Sequence, residues 1–151
     1  MGALKCIIVG FIAGAIAAVT AHEFISWLFV NYWTGWDATP WSMEPTQSLL
    51  MADLELPWLV GNAVTGGLWG ALFGLFLGSE PEGRLTFRGA FLGLLGPGLV
   101  GALTVMPYLA HRTSPLFEGN VSELVPILCI SAGFGAVTAW LYGLFSYGRL
   151  P

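Results

Sequence analysis

Long apolar runs alternate with short polar segments along the whole chain. Four of the runs reach the length of about 20 residues that an α-helix needs to cross about 30 Å of hydrocarbon at 1.5 Å per residue. They lie near residues 4–32, 57–78, 86–110 and 123–147. The pattern predicts an all-α membrane protein in which four transmembrane helices form a compact bundle, a single transmembrane domain covering residues 1–151.

Proline, glycine and charged residues mark the segments between these runs. Gly78 to Arg84 form a short polar turn, and Pro57 suits the first turn of the second helix. The first connector, residues 33–56, is too long and too apolar to be a simple linker. We therefore predict a short interfacial segment in it, within residues 41–58, as a surface helix, a re-entrant segment or a lid over the bundle.

The basic residues predict the orientation of the chain, because lysine and arginine bias short loops toward the cytoplasm. With both termini inside, Lys5, Arg84, Arg88 and Arg149 are cytoplasmic and only Arg112 lies outside. We expect a multi-pass protein of the cell inner membrane. An interfacial aromatic belt is expected at the first outer loop, formed by Trp27, Tyr32, Trp33, Trp36, Trp41 and Trp58.

Composition agrees with lipid as the solvent of this chain. Of its 151 residues, 56% are hydrophobic and 9% are charged, whereas about a quarter of the residues of an ordinary soluble domain are charged. The mean hydropathy is +0.75. A net charge of -4 makes nucleic acid a poor partner. Cys6 and Cys129 lie in different apolar runs without metal-binding spacing and are interpreted as small buried hydrophobes.

Small residues recur every four positions in each predicted helix. Such a stripe lets helix backbones approach closely, which is how helices associate in lipid. The simplest interpretation is packing within the bundle; the alternative assigns one stripe to a second membrane protein or to another copy of the chain. The stripes are Gly10, Gly14 and Ala18; Gly66, Gly70, Gly74 and Gly78; Gly89, Gly93 and Gly101; and Ser131, Gly135, Ala139 and Gly143.

The two halves of the chain resemble each other weakly. The segment from Gly70 to Phe76 can be laid on the segment from Ala139 to Phe145. Such a duplication would be a parallel repeat about an axis along the membrane normal. The alternative is that helices rich in glycine, leucine and phenylalanine resemble one another by composition alone.

His22 and Glu23 are the adjacent ionisable pair inside an apolar run, where an ionisable side chain is costly and indicates function. Their position is near the outer interface, where a glutamate reaches water or a partner at little cost. On a regular α-helix His22 continues the stripe after Ala18 and faces the bundle, while Glu23 lies about 100° around the helix.

His111 is predicted to end the third helix on the same outer side as His22. Two histidines at one end of a bundle allow a haem or metal site built from His22, His111 and a carboxylate. The simpler interpretation is that His111 is an interfacial residue beside Arg112. We expect no cofactor and no bound metal.

Pro97 lies in the middle of the third run and predicts a kink in that helix. A broken helix at the membrane midplane is typical of transporter sites, but a kink also serves packing. A few polar side chains could form hydrogen bonds across helices, and they are too few to define a polar pathway: Asn62, Thr65, Thr104 and Thr138.

The sequence carries none of the short catalytic or phosphate-binding motifs, so we expect a protein that is not an enzyme. The first functional hypothesis is an accessory or assembly subunit of a larger inner-membrane complex, for example one that transfers electrons. The alternative is a small oligomeric transporter or channel that uses His22, Glu23 and the Pro97 kink. The third hypothesis is the haem or metal protein described above.

Overall fold

The fold is a bundle of helices with one structured connector. The computed structural model describes residues 2–47, 55–78, 84–105 and 119–147. In chain order the elements are α1 (Ala3–Ala17), the π-helical segment π1 (Ala18–His22), α2 (Glu23–Tyr32), β1 (Pro45–Gln47), β2 (Glu55–Pro57), α3 (Trp58–Leu77), α4 (Leu85–Gly93), the π-helical segment π2 (Leu94–Val105) and α5 (Val121–Tyr147).

Within the described residues, four helical segments are long and apolar enough to cross a membrane. They are Ala3–Tyr32, Trp58–Leu77, Leu85–Val105 and Val121–Ser146, and we call them spans 1 to 4. Each begins within two residues of its predicted start, which confirms the prediction of four helices able to span a membrane. The predicted end of the third helix, at residue 110, lies outside the described residues.

Span 1 shows why these helices suit lipid. Its large residues Ile8, Ile12 and Ile16 point away from the bundle, while Gly10 and Gly14 are buried against other helices. Because lipid is as apolar as isoleucine, burying large side chains between helices gains little, whereas small ones allow close backbone contact. The side chains are therefore sorted by size rather than by polarity.

Spans 1 and 2 form the first helix pair, in which glycine faces glycine. A methyl group at Gly10 would overlap the carbonyl of Gly70, and one at Gly70 would overlap the carbonyl of Gly10. The contact continues one turn away, where an added Cβ at Gly14 would lie 2.7 Å from the Cα of Gly70. The last of these close contacts is at Gly74, where an added Cβ would overlap the carbonyl of Cys6.

Spans 3 and 4 form a second pair with the same arrangement. An added Cβ at Gly93 would overlap the carbonyl of Ser131 and lie 2.8 Å from the Cα of Gly135. Gly89 faces the carbonyl of Gly135 and the side chain of Ala139. Both hairpins thus use a pair of glycines four residues apart in their first helix against three small residues in their second.

These contacts give the register that relates the two halves. Gly14 faces Gly70 as Gly93 faces Gly135, so Gly70 corresponds to Gly135. The register read from the sequence, which placed Gly70 on Ala139, is wrong by one helical turn. Segments this rich in glycine and leucine match in more than one register, and only the backbone contacts distinguish them.

The two hairpins join through span 1 and span 4, which pack against each other as well as against their own partners. Phe73 of span 2 meets Phe134 of span 4, with ring centroids 6.1 Å apart. The buried cluster around these rings includes Ala13, Ala17 and Tyr142. Span 1 therefore lies between span 2 and span 4, and whatever it carries on its inner face is enclosed.

The connector after span 1 ends in two short antiparallel strands. Strands β1 and β2 pair with Thr46 opposite Leu56, so these six residues are extended rather than helical. Backbone hydrogen bonds from Trp58 to Glu44 and from Leu59 to Ser42 hold the base of the connector together. We call the end of the bundle at which residues 33–44 lie the loop end; the charge pattern predicts that it faces outward.

Candidate functional site

Glu23 lies inside the bundle near the loop end. It is 1% exposed, whereas its neighbour His22 keeps 30% of its side chain exposed. His22 contacts Asn62 of span 2 and so lies toward the bundle as predicted, but Glu23, which a regular α-helix would place about 100° around, is the more deeply buried of the two. The cause is π1: a π turn repeats after five residues instead of about four, so the residue that follows Ala18 on the buried face is Glu23.

Both oxygens of the Glu23 carboxyl group face hydrogen-bond donors. Oε1 accepts from the Asn62 side-chain amide at 2.6 Å and lies 3.1 Å from Nδ1 of His22. Oε2 accepts from the backbone N–H of Trp41 at 2.7 Å. A carboxylate accepts and does not donate, so this set of donors matches the ionised form. Residues of span 1, span 2 and the connector therefore hold the Glu23 carboxyl group in place together.

The carbonyls of π1 receive donors from outside their own helix. The carbonyl of Ala18 accepts from the Asn62 amide at 3.4 Å, and that of Val19 accepts from the indole N–H of Trp41 at 3.0 Å. A π turn disturbs the regular backbone ladder, and membrane-buried backbone groups need partners inside the protein. Asn62 and Trp41 thus each donate hydrogen bonds both to the backbone of π1 and to the Glu23 side chain.

Three tryptophans fasten the connector to the helices. Besides Trp41, Trp36 donates from its indole to the hydroxyl of Ser26 at 3.4 Å, and Trp33 donates to the carbonyl of Ser122 in span 4 at 3.0 Å. Trp41 has a left-handed backbone with a φ of 55°, which costs a non-glycine residue about 1–2 kcal/mol. The contacts of Trp41 with Glu23 and Val19 offset that cost.

A cavity of about 440 Å³ opens between the connector and the bundle, and we call it the loop-end cavity. The connector forms one wall, from Trp36 to Glu44, and the helices form the other. Its lining from the helices is His22, Glu23, Ser26, Trp58, Ala102, Ile127, Ile130 and Ser131. Ser131 lies ten residues into span 4, about 15 Å at 1.5 Å per residue, so the cavity reaches deep into the bundle.

The charged residues that the structure describes in the lining of the loop-end cavity are acidic rather than basic, with no lysine or arginine among them. Glu23 lies in its wall, and Asp37 and Glu44 lie at its exposed rim. Within the described residues, neither rim carboxylate forms an ion pair. Ser131 is 7% exposed, and no hydrogen-bond partner of its hydroxyl occurs in the described part of the chain. These groups leave negative charge and one hydroxyl directed at the cavity.

Span 3 reaches the cavity through its irregular segment. The α-helix of span 3 ends at Gly93, and π2 begins three residues before Pro97, whose missing N–H removes a helical hydrogen bond. Thr104 donates to the carbonyl of Leu99 five residues back, in the π spacing. Ala102 of π2 lines the cavity. The break predicted at Pro97 thus extends over a twelve-residue segment.

The small residues predicted as packing or partner faces lie within the bundle. Ala18 meets Gly66, as the stripe of span 1 meets that of span 2. Gly78 lies near the thiol of Cys6 at the opposite end of the bundle, and an added Cβ there would be 2.8 Å from its Sγ. Gly143 is buried in span 4. The stripes of all four spans face other spans of the same chain.

The haem or metal hypothesis needs His111, which lies outside the described residues. His22 Nδ1 lies 3.1 Å from both Glu23 Oε1 and Asn62 Nδ2, and it donates to the first or accepts from the second according to its tautomer. Among the residues that the structure describes, no three histidines, cysteines or carboxylates come close enough together to hold a metal ion. A site built on His22 and His111 stays a prediction.

Sequence reasoning found His22, Glu23 and Asn62 but missed the groups that complete the site. The Trp41 amide carries no side-chain signal, and Ser26 and Ser131 resemble ordinary helix-packing residues. The one available signal was the length and aromatic content of the connector, which predicted a surface helix, a re-entrant segment or a lid. The connector does cover the cavity, through residues 36–44.

Comparison with known proteins adds no further assignment. The chain matches no protein-family model, and neither a curated protein nor a solved structure matches it.

Proposed function

We propose that the protein is a small transporter or channel that takes up its solute through the loop-end cavity beside Glu23. The observation that carries the proposal is the cavity itself, which runs from the exposed connector down to Ser131 with a buried carboxylate in its wall. An ionisable group inside a membrane bundle is costly and marks a substrate or ion route more often than a packing site.

Irregular backbone on two sides of the cavity supports movement of a solute. His22 belongs to π1 of span 1, and Ala102 belongs to π2 of span 3. Both residues line the cavity. In membrane proteins, broken helices and π turns concentrate at substrate sites because their backbone rearranges at lower cost than a regular helix. Four helices rarely enclose a whole route, so the working unit is an oligomer.

The proposed location follows from the basic residues of the sequence. With both termini in the cytoplasm of a cell bounded by an inner membrane, the loop end faces outward. The cavity then opens to the outer side, and its solute enters from there.

The test is flux through the full-length chain reconstituted in liposomes. Currents on a solid-supported membrane are recorded for inorganic cations, organic cations, anions and protons. Wild type is compared with Glu23→Gln and with the control Glu123→Gln, a partly exposed acidic residue at the start of span 4 that is not part of the cavity lining.

We expect at least one solute class to give a current that Glu23→Gln abolishes and Glu123→Gln leaves intact. The absence of flux for every class contradicts a transport function. A flux that Glu23→Gln does not alter removes this carboxylate from the mechanism.

A second candidate is an accessory or assembly subunit of a larger membrane complex. It is favoured by large apolar side chains exposed at the loop end, where Tyr32 is 79% and Met43 62% exposed. Tryptophans fasten the connector to the helices, so the exposed side chains of Tyr32 and Met43 lie on an ordered surface. The small-residue stripes give this candidate less support, since they pack within the chain.

Gentle affinity purification of the tagged chain from native membranes distinguishes the two candidates. Stoichiometric recovery of a larger complex supports the accessory role, and substituting Tyr32 and Met43 by serine should then release it. Recovery of the chain alone or as a homo-oligomer contradicts that role.

A further inference from the structure

We infer that the loop-end cavity binds a small organic cation, one that joins an ammonium group to a compact apolar body and a hydrogen-bonding group. The inference names the solute class of the proposed function and rests on that function for its biological meaning. Binding itself can be measured without transport, so the two ideas can fail separately.

The sign of the ligand follows from the charges that line the cavity. Glu23, Asp37 and Glu44 are acidic; among the described lining residues, His22 alone is able to carry positive charge and none is lysine or arginine. Asp37 and Glu44 have no ion-pair partner within the described residues. A cleft lined by one sign of charge with low-dielectric walls concentrates counter-ions of the opposite sign.

The apolar body follows from the remaining walls. Trp36 and Trp58 line the cavity beside Ala102, Ile127 and Ile130. Tryptophan is the best aromatic partner for an ammonium group, which is attracted to the ring face. The volume of about 440 Å³ lies within the range of about 300–1,000 Å³ that is typical of small-molecule sites. The cavity therefore fits an organic molecule better than a bare ion.

Ser131 is the independent sign of a ligand. The residue is 7% exposed, it lines the cavity, and no partner for its hydroxyl occurs in the described residues. A hydroxyl that lines a cavity and has no partner in the protein is free to form a hydrogen bond with a ligand. A ligand that carries a hydroxyl besides its charge satisfies Ser131.

A metal ion is a weaker candidate for the same cavity. Calcium takes about six to eight oxygen ligands, and magnesium demands near-octahedral geometry. Both oxygens of Glu23 already accept hydrogen bonds from Asn62 and Trp41. No group of three or more ligating side chains occurs in the described part of the chain.

The test is equilibrium binding to the purified full-length chain in lipid nanodiscs. Choline is the probe, and its neutral carbon isostere, a dimethylbutanol in which carbon replaces the nitrogen, has the same shape and hydroxyl without the charge. Titrations are followed by tryptophan fluorescence and by dialysis with radiolabelled choline. We expect saturable choline binding, at least about tenfold tighter than that of the isostere.

Variants separate the contributions of the lining residues. Trp58→Leu should weaken choline binding about threefold to tenfold, whereas Trp140→Leu, on an exposed face of span 4, should leave it unchanged. The double variant Asp37→Asn and Glu44→Gln should weaken binding about threefold at low salt and less at high salt, because salt screens exposed charges. Ser131→Ala should weaken choline more than tetraethylammonium, which lacks a hydroxyl.

The outcomes distinguish this inference from the proposed function. Equal binding of choline and its isostere, or no binding of choline and tetraethylammonium, overturns the inference. Glu23-dependent flux of anions or inorganic ions without choline binding overturns it as well and leaves a transport function standing. Charge-selective binding without any flux supports the inference and contradicts transport.

Discussion

The backbone N–H of Trp41 donates a hydrogen bond of 2.7 Å to the carboxyl group of Glu23, eighteen residues earlier in the chain. Glu23 is buried in the bundle, and Trp41 lies in the connector that covers it. The Glu23 side chain and the Trp41 backbone therefore hold each other in place, one in the bundle and the other in the connector. A substitution at Glu23 should therefore alter the stability of the connector.

Glu23→Gln should loosen that connector. Glutamine replaces one acceptor oxygen with an amide that donates, so either Trp41 or Asn62 loses its partner; hydrogen bonds to charged groups are each worth about 1.5–3 kcal/mol. We expect faster amide exchange in residues 34–44, measured by hydrogen–deuterium exchange. Glu123→Gln is the control, and equal exchange in wild type and Glu23→Gln would contradict the idea that Glu23 holds the connector in place.

Asn62→Leu should lower the free energy of unfolding by about 1–3 kcal/mol, because it leaves a buried carboxyl oxygen and the Ala18 carbonyl short of a donor. Unfolding in mild detergent, titrated with a denaturing one, measures the change. Asn31→Leu is the matched control, since Asn31 is exposed and bonds only within its own helix, to Trp27. Similar losses in the two variants would argue against a special role for Asn62.

Gly70→Ala should separate spans 1 and 2. The added methyl group overlaps the backbone of Gly10, which has no flexible side chain to move aside, and overpacking of this kind costs about 1–3 kcal/mol. Gly61→Ala in the same helix meets nothing within 4 Å and should be neutral or stabilising. Thermal unfolding of both variants checks the prediction, which fails if they behave alike.

Gly93→Ala should damage the second hairpin as Gly70→Ala damages the first. Its methyl group overlaps the carbonyl of Ser131, whereas Gly101→Ala in the same span makes only ordinary contact at 3.5 Å. The same thermal assay applies. If Gly93→Ala is tolerated while Gly70→Ala is not, the two helix pairs are not equivalent packing units.

The sequence was sufficient to predict the four spans, because length and hydropathy alone decide whether a helix crosses lipid. The small-residue stripes likewise contain the positions at which the helices touch. The orientation of His22 and Glu23 was not predictable in the same way. The helical wheel assumes a constant turn, and one π turn at residues 18–22 rotates everything after it.

The loop-end site was harder to predict from the sequence than the four spans. Its donors include the Trp41 amide, which every residue except proline possesses, and its lining comes from all four spans and the connector. Ser131 and Ala102 are ordinary residues in their own helices. Only the way the spans meet makes them neighbours of Glu23.

The two hairpins carry different side chains at corresponding positions beside the cavity. Glu23 lies nine residues after Gly14, and Ala102 lies nine residues after Gly93 at the corresponding place; both line the loop-end cavity. The halves are alike as packing units and unlike in charge, since one contributes a carboxylate where the other contributes a methyl group. The buried wall of the cavity therefore carries a carboxyl group on the side of span 1 and an apolar surface on the side of span 3.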